Sequence, residues 1–186
     1  MKILFYAVYF LWVLSEVLLN RLIRSGRSDK HDVDKNTELF LWLSIIISIT
    51  IGVYIAITFP LPVYYRWEFA FIGIAIIILG IIIRLVAIKQ LGRFFTVDVT
   101  IRKDHQLIET GLYRYLRHPS YTGSLLSFLG FGISLNNWLS FFIVFLPPIF
   151  TFIYRINIEE KVLTAQFGKQ YSDYISRTKR LIPFVY

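Results

Sequence analysis

The sequence predicts an all-α, polytopic membrane protein: five transmembrane helices, a hairpin joining the fourth and fifth, and a cytoplasmic C-terminal helix. Three observations predict it. Of 186 residues, 56% are hydrophobic, above the roughly 45–50% of a soluble domain. The apolar residues gather into five runs, on the scale of the about 20 residues that a helix needs to cross a bilayer. The connections between the runs are alternately basic and nearly bare of charge, as the positive-inside rule requires.

The first run, Ile3–Leu19, follows Lys2. It is longer than the apolar region of a signal peptide, lacks a small-x-small cleavage site and leads into Arg21, Arg24 and Arg27, so it reads as a retained helix. The second, Leu39–Phe59, contains no charge, and the third, Phe69–Leu91, has none before Arg84. Uncharged runs of this length argue against a soluble helical bundle. Tyr121–Leu135 and Trp138–Tyr154 are short, but only Asn136 and Asn137 separate them, which predicts a tight helical hairpin.

Charge orients the helices. Asn20–Glu38 carries Arg21, Arg24, Arg27, Lys30 and Lys35, whereas Pro60–Glu68 carries Arg66 alone among basic residues. Arg93, Arg102, Lys103, Arg114 and Arg117 follow the third run, the Asn136–Asn137 turn is uncharged, and Arg155, Lys161, Lys169, Arg177, Lys179 and Arg180 lie in the tail. This pattern predicts an N-terminus outside and a C-terminus in the cytoplasm. The net charge of +8 is then a mark of the cytoplasmic face and does not imply nucleic acid. The whole chain, 1–186, reads as a single membrane domain, and Ser25–Asn36 as a solvated polar loop.

In the tail, Ile158, Val162, Leu163, Phe167, Tyr171, Tyr174 and Ile175 recur near a 3.6-residue period, with Gly168 bending or ending the first part. Such a helix either lies on the membrane surface or folds back over the bundle; periodicity leaves both open. Pro147 and Pro148 predict a kink in the fifth helix. Gly123, Gly130 and Gly132 in the fourth permit close helix contact.

The absence of cysteine excludes disulfides, thiolate metal sites, iron–sulfur clusters and cysteine nucleophiles. Three scattered histidines do not make a metal site. Two polar clusters remain. Arg117-His118-Pro119 opens the fourth helix, with Tyr113, Tyr115 and Tyr121 around it. A helix cap explains Pro119; it does not explain His118 or the tyrosines, for which a binding site is the other reading. The second cluster is Arg155, Glu159 and Glu160. Arg155 and Glu159, four apart, share a helix face. They form a surface ion pair or, if the hairpin packs tightly, face His118 across one cytoplasmic mouth. Arg84 and Glu16 lie inside runs, near enough to an end for their charges to snorkel to the interface.

The stretch "GLYRYLRHPSYTG", followed by "RINIEEKVLTAQFGKQYSDYISRTKRLIP", resembles the isoprenylcysteine carboxyl methyltransferases and their prokaryotic relatives. The shared pattern is G-x-Y, R-H-P-x-Y-x-G, R-x-x-x-E-E, F-G-x-x-Y and R-x-I-P, over roughly residues 90 to 183. The resemblance implies an integral membrane enzyme that uses S-adenosylmethionine and methylates a lipidic, isoprenoid-linked carboxylate. It implies that His105, Gln106, Leu107, Ile108, Tyr113, His118, Pro119, Ser120, Tyr121 and Glu159 contact the cofactor, and that Arg155 binds the substrate and carries catalysis. Asp98 stands where animal members have a glutamine.

These residue types suit that chemistry. A carboxylate accepts hydrogen bonds from the ammonium or ribose of S-adenosylmethionine. Tyrosine faces attract a sulfonium, and N–H groups at a helix start suit a carboxylate. Arginine holds an acceptor carboxylate by two parallel hydrogen bonds. A lipid tail implies entry from the bilayer. Two other readings compete: an NADPH-dependent reductase of the sterol type, which shares R-H-P-x-Y, and a non-enzymatic membrane scaffold.

Overall fold

Where lipid offers the backbone no hydrogen bonds, an apolar run satisfies its own N–H and C=O groups as a helix. The computed structural model, which describes residues 2–22, 35–65, 68, 70–96, 104–183 and 186, is accordingly all-α. Its helices are α1 (Lys2–Leu22), α2 (Lys35–Thr58), α3 (Ala70–Leu91), α4 (Pro119–Ser134), α5 (Trp138–Phe167) and α6 (Lys169–Arg177), with 3₁₀ turns at Gly92–Phe94 and Gly111–Arg114. Among the described residues, α2 from Thr37, α3 and α5 are long and apolar enough to cross a membrane, and α1 adds a shorter apolar stretch, Phe5–Leu19. Asp98 and most of the Ser25–Asn36 loop lie outside the described residues.

The hairpin forms as its sequence predicts. Asn136 takes the left-handed conformation (φ 50°), which asparagine tolerates better than most residues. Asn137 caps α5, its side chain accepting from the Ser140 N–H at 3.0 Å. The same two side chains hold the α2–α3 connection. Asn136 Oδ1 accepts from the N–H groups of Val63 and Tyr64 at 3.0 and 2.9 Å, and Asn137 Nδ2 donates to Phe59 O.

Helix α4 packs most closely on α3, with glycine on both sides of the contact. A Cβ on Gly80 would meet Gly123 O at 2.5 Å, and one on Gly73 would meet Gly130 O at 2.5 Å. Each helix repeats its glycine after one heptad, so the backbones touch at two levels. Helix α2 packs on α5, and α1 on α3. An aromatic stack of Tyr9, Trp12, Phe128, Phe131 and Phe152 fills the middle.

Two expectations need correction. The fifth helix does not stop near Tyr154. It passes through Pro147 and Pro148 and on to Phe167, until Gly168 (φ 53°) breaks it. Charged residues end an apolar run without ending a helix. Nor do Arg84 and Glu16 snorkel. Arg84 Nη2 meets Glu16 Oε2 at 2.8 Å, and Nη1 donates to Ser120 Oγ at 3.1 Å, tying α1, α3 and α4 together. An internal ion pair removes the need for either charge to reach water.

The tail folds back over the bundle. Tyr171 and Tyr174 are buried, and Tyr174 Oη donates to Tyr113 O at 2.6 Å. Beyond α6 the chain pairs with the segment before α4: Arg117 N–H donates to Lys179 O at 2.7 Å and His118 N–H to Arg180 O at 3.1 Å. This pairing brings the R-x-I-P end against R-H-P.

Candidate active site

Three separate sequence motifs meet at Glu160. Its Oε1 accepts from Arg117 Nε at 2.8 Å and lies 3.3 Å from His118 Nε2; its Oε2 accepts from Arg180 Nη2 at 2.6 Å. The Glu160 side chain is 9% exposed, so it is a buried junction. It fixes the start of α4, the C-terminal third of α5 and the C-terminal segment against one another. Arg117 adds hydrogen bonds to the carbonyls of Thr178 (2.5 Å) and Ile175 (3.2 Å).

One helical position earlier, Glu159 turns the other way. Tyr121 Oη donates to Glu159 Oε2 at 3.0 Å and accepts from Arg155 Nε at 3.1 Å. His118 Nδ1 lies 3.7 Å from the same Glu159 oxygen, and its ring stacks on Tyr121 at 5.7 Å. Tyr121 thus bridges Arg155 and Glu159, which sit one helical turn apart. Arg155 is 2% exposed, which rules out the surface-pair reading.

These side chains line an internal cavity of about 230 Å³. One water needs roughly 10–15 Å³, so the space suits a sizeable ligand. Its polar end is formed by His105, Gln106, Tyr113, His118, Ser120, Tyr121, Arg155 and Glu159, joined by Leu107 and Ile108. His105 is held there by rings, stacked on Phe94 at 5.0 Å and edge-on to Phe167 at 5.6 Å. Pro119 is buried at the first position of α4 without lining the space.

Sequence reasoning missed much of the wall. Trp12, Leu41, Trp42, Ile45 and Phe152 give an apolar side, and Arg84 and Tyr171 add polar groups. Burial, then the carboxylates of Glu160 and Glu159, push the Tyr171 phenol up. Burial, then Glu159, does the same to Tyr113. Both phenols therefore stay neutral donors at physiological pH. The Tyr171 hydroxyl is buried with no hydrogen-bond partner among the described residues. An orphaned donor in a wall of carboxylate and aromatic faces fits a ligand such as S-adenosylmethionine, which carries acceptor oxygens beside a cationic centre. Among the described residues no group of acidic or histidine side chains would hold a metal.

Known proteins resemble this chain. The sequence pattern of the phospholipid methyltransferase family matches residues 69–170. Protein-S-isoprenylcysteine O-methyltransferase B of Arabidopsis thaliana is 39% identical over 64% of this chain and 62% of its own length. The Saccharomyces cerevisiae protein-S-isoprenylcysteine O-methyltransferase is 35% identical over 61% of this chain and 48% of its own. The solved structure of a eukaryotic intramembrane Ras methyltransferase, an isoprenylcysteine carboxyl methyltransferase, superposes with a TM-score of 0.62 at 31% identity. It covers 81% of this chain and 53% of that one. The chain thus spans less than two thirds of these relatives' lengths.

Proposed function

The chain belongs to the phospholipid methyltransferase family, and from that premise we propose that it is an S-adenosylmethionine-dependent carboxyl O-methyltransferase of the membrane. Its acceptor is a lipidic, isoprenoid-linked carboxylate, which it converts to the methyl ester. The observation that carries this reading is the relay Arg155 Nε–Tyr121 Oη–Glu159 Oε2, with legs of 3.1 and 3.0 Å. It joins a residue suited to an anionic acceptor with one suited to a cationic methyl donor, on a single cavity wall.

We assign His105, Gln106, Leu107, Ile108, Tyr113, His118, Ser120, Tyr121 and Glu159 to the cofactor. Pro119 sets the helix start that presents them, and Arg155 holds the acceptor. When bound, S-adenosylmethionine supplies a methyl group activated by its sulfonium sulfur. An acceptor carboxylate is already ionised at neutral pH, so no residue need act as a general base. The work of the chain is to position and to exclude water. Tyr121 fixes the Arg155 guanidinium through Nε, which limits how far it can follow the acceptor. Glu159 compensates the arginine's charge and so keeps the acceptor oxygen from being held too tightly to react.

Five segments cross the bilayer in this reading: α1 to α4, and α5 as far as Tyr154. The N-terminus is outside and the site lies at the cytoplasmic face, supported by the basic residues around it. Residues 1–186 form one domain, with the chemistry carried from about residue 90 onward. The apolar acceptor enters from lipid. The cavity extends between α1 (Trp12, Val13) and α2 (Leu41, Ile45, Ile49), helices that pack on α3 and α5 respectively.

The test is transfer of radiolabelled methyl from S-adenosylmethionine to a prenyl-thioether carboxylic acid in detergent, followed by base. Release of volatile labelled methanol marks an ester. Label that resists base marks a different acceptor atom, and no transfer to this acid or to total lipid extract removes the reading.

A further inference from the structure

Beyond α6, the C-terminal segment reaches the wall assigned to the cofactor without lining the cavity. His118 and Glu159 border the space; Glu160 and Arg180 do not. The two pairs are nonetheless joined. Arg180 Nη2 donates to Glu160 Oε2 at 2.6 Å, Glu160 Oε1 lies 3.3 Å from His118 Nε2, and His118 Nδ1 lies 3.7 Å from Glu159 Oε2. Arg180 also holds His118 through the main chain, its carbonyl accepting from the His118 N–H at 3.1 Å. Tyr186 Oη accepts from Arg180 Nη1 at 2.9 Å, which steadies the guanidinium.

Each oxygen of Glu160 has its own task. Burial opposes the charge of this carboxyl, and the bonds from His118, Arg117 and Arg180 outweigh it, holding the group at about 2. It is therefore ionised at neutral pH and can only accept, so His118 Nε2 carries the proton that faces Oε1. Oε1 also accepts from Arg117 Nε at 2.8 Å, while Oε2 takes Arg180. An arginine fork left alone with a carboxylate tends to take both oxygens in parallel. Without Arg180, Arg117 is free to do so, and Oε1 turns away from the histidine. By occupying Oε2, Arg180 keeps Oε1 on the ring. A ring fixed at Nε2 and stacked on Tyr121 at 5.7 Å has one place for Nδ1. There Nδ1 and the Tyr121 hydroxyl address the same oxygen of Glu159.

We propose that Arg180 is a positioning residue for the methyl donor: through Glu160 it orients His118, and His118 with Tyr121 orients Glu159. The inference rests on the assignment of Glu159 to S-adenosylmethionine and deepens it. Arg180 lies beyond residues 69–170, which match the family pattern, so the site is assembled from both sides of that boundary. The Arg180 side chain is 27% exposed, against 9% for Glu160. Water can take its place, and its removal is milder for the fold than removal of Glu160.

The test is titration calorimetry of the detergent-solubilised protein with S-adenosylmethionine, beside methyl-transfer kinetics on the prenyl-thioether acid. Arg180→Met keeps the stem and loses the donor. Its Kd and KM for S-adenosylmethionine should rise about tenfold, the low end for a hydrogen bond to a charged group, with KM for the acid unchanged. Arg180→Lys returns a cation to Oε2 and should recover most of that loss. Tyr186→Phe removes only the hydroxyl that steadies Nη1. It should raise Kd about twofold, and it carries the test if Arg180→Met does not fold. A mere brace for the fold would lower the folded fraction and leave Kd alone. A Kd that no folded variant moves, a loss that Arg180→Lys does not recover, or a KM rising alike for both substrates overturns the inference and leaves the methyltransferase reading standing. If the wild type binds no S-adenosylmethionine, reading and inference fall together.

Discussion

At the end of the bundle where α4 turns into α5, polar side chains serve the backbone; at the opposite end they serve a cavity. Asn136 and Asn137 bond main-chain groups of Val63, Tyr64, Phe59 and Ser140. Glu159, Glu160, Arg155 and His118 bond other side chains, and beside them the Tyr171 hydroxyl, buried without a hydrogen-bond partner among the described residues, belongs to a residue that lines the cavity. Both ends are polar caps on apolar helices. Polarity near a membrane surface therefore marks a site only where side chains converge on one another around space.

The largest effect is expected at Glu160. Glu160→Ala leaves Arg117 and Arg180 uncompensated against a buried junction, at a cost of about 3–5 kcal/mol. Thermal melting in detergent should show it as the greatest loss of stability among single changes at either end. Arg155→Lys keeps the charge and loses the planar fork. A misplaced acceptor costs on the order of 100-fold in kcat/KM, while the melting temperature should change little.

The two glycine crossings lie at different distances from the cavity. Gly130→Ala and Gly123→Ala each drive a methyl into the α3 backbone, near Gly73 O and Gly80 O respectively, costing about 1–3 kcal/mol. At Gly123 the added Cβ also meets Arg84, so that variant should lose activity per folded molecule, measured as kcat on the folded fraction. Gly130→Ala should not. The smallest effect on activity is expected at Asn137→Ala. Loss of the α5 cap and of the bond to Phe59 O costs about 1 kcal/mol each, read as a lower melting temperature with kcat/KM unaltered.

Much of the fold was legible because unbroken apolar runs leave a membrane helix few choices. Phe69–Leu91 became Ala70–Leu91, and the asparagine pair became the turn. The end of α5 was not legible, since Arg155, Glu159 and Glu160 close the apolar run while the helix continues inside the protein. The R-H-P-x-Y and R-x-x-x-E-E residues announced the cavity's polar end. Its other wall was silent. Trp12 and Ile45 are residue types that lipid accepts equally well, and Glu16 finds Arg84 across 68 positions. One signal was present and unread: Gly73 and Gly80 repeat the seven-residue spacing of Gly123 and Gly130, which pairs α3 with α4.

The most direct measurement is calorimetric titration of the detergent-solubilised protein with S-adenosylmethionine and, separately, with NADPH. The account predicts that S-adenosylmethionine binds, that Glu159→Ala abolishes the binding without loss of folded protein, and that Asn137→Ala leaves it intact. Binding of NADPH alone, or S-adenosylmethionine binding indifferent to Glu159, would contradict it.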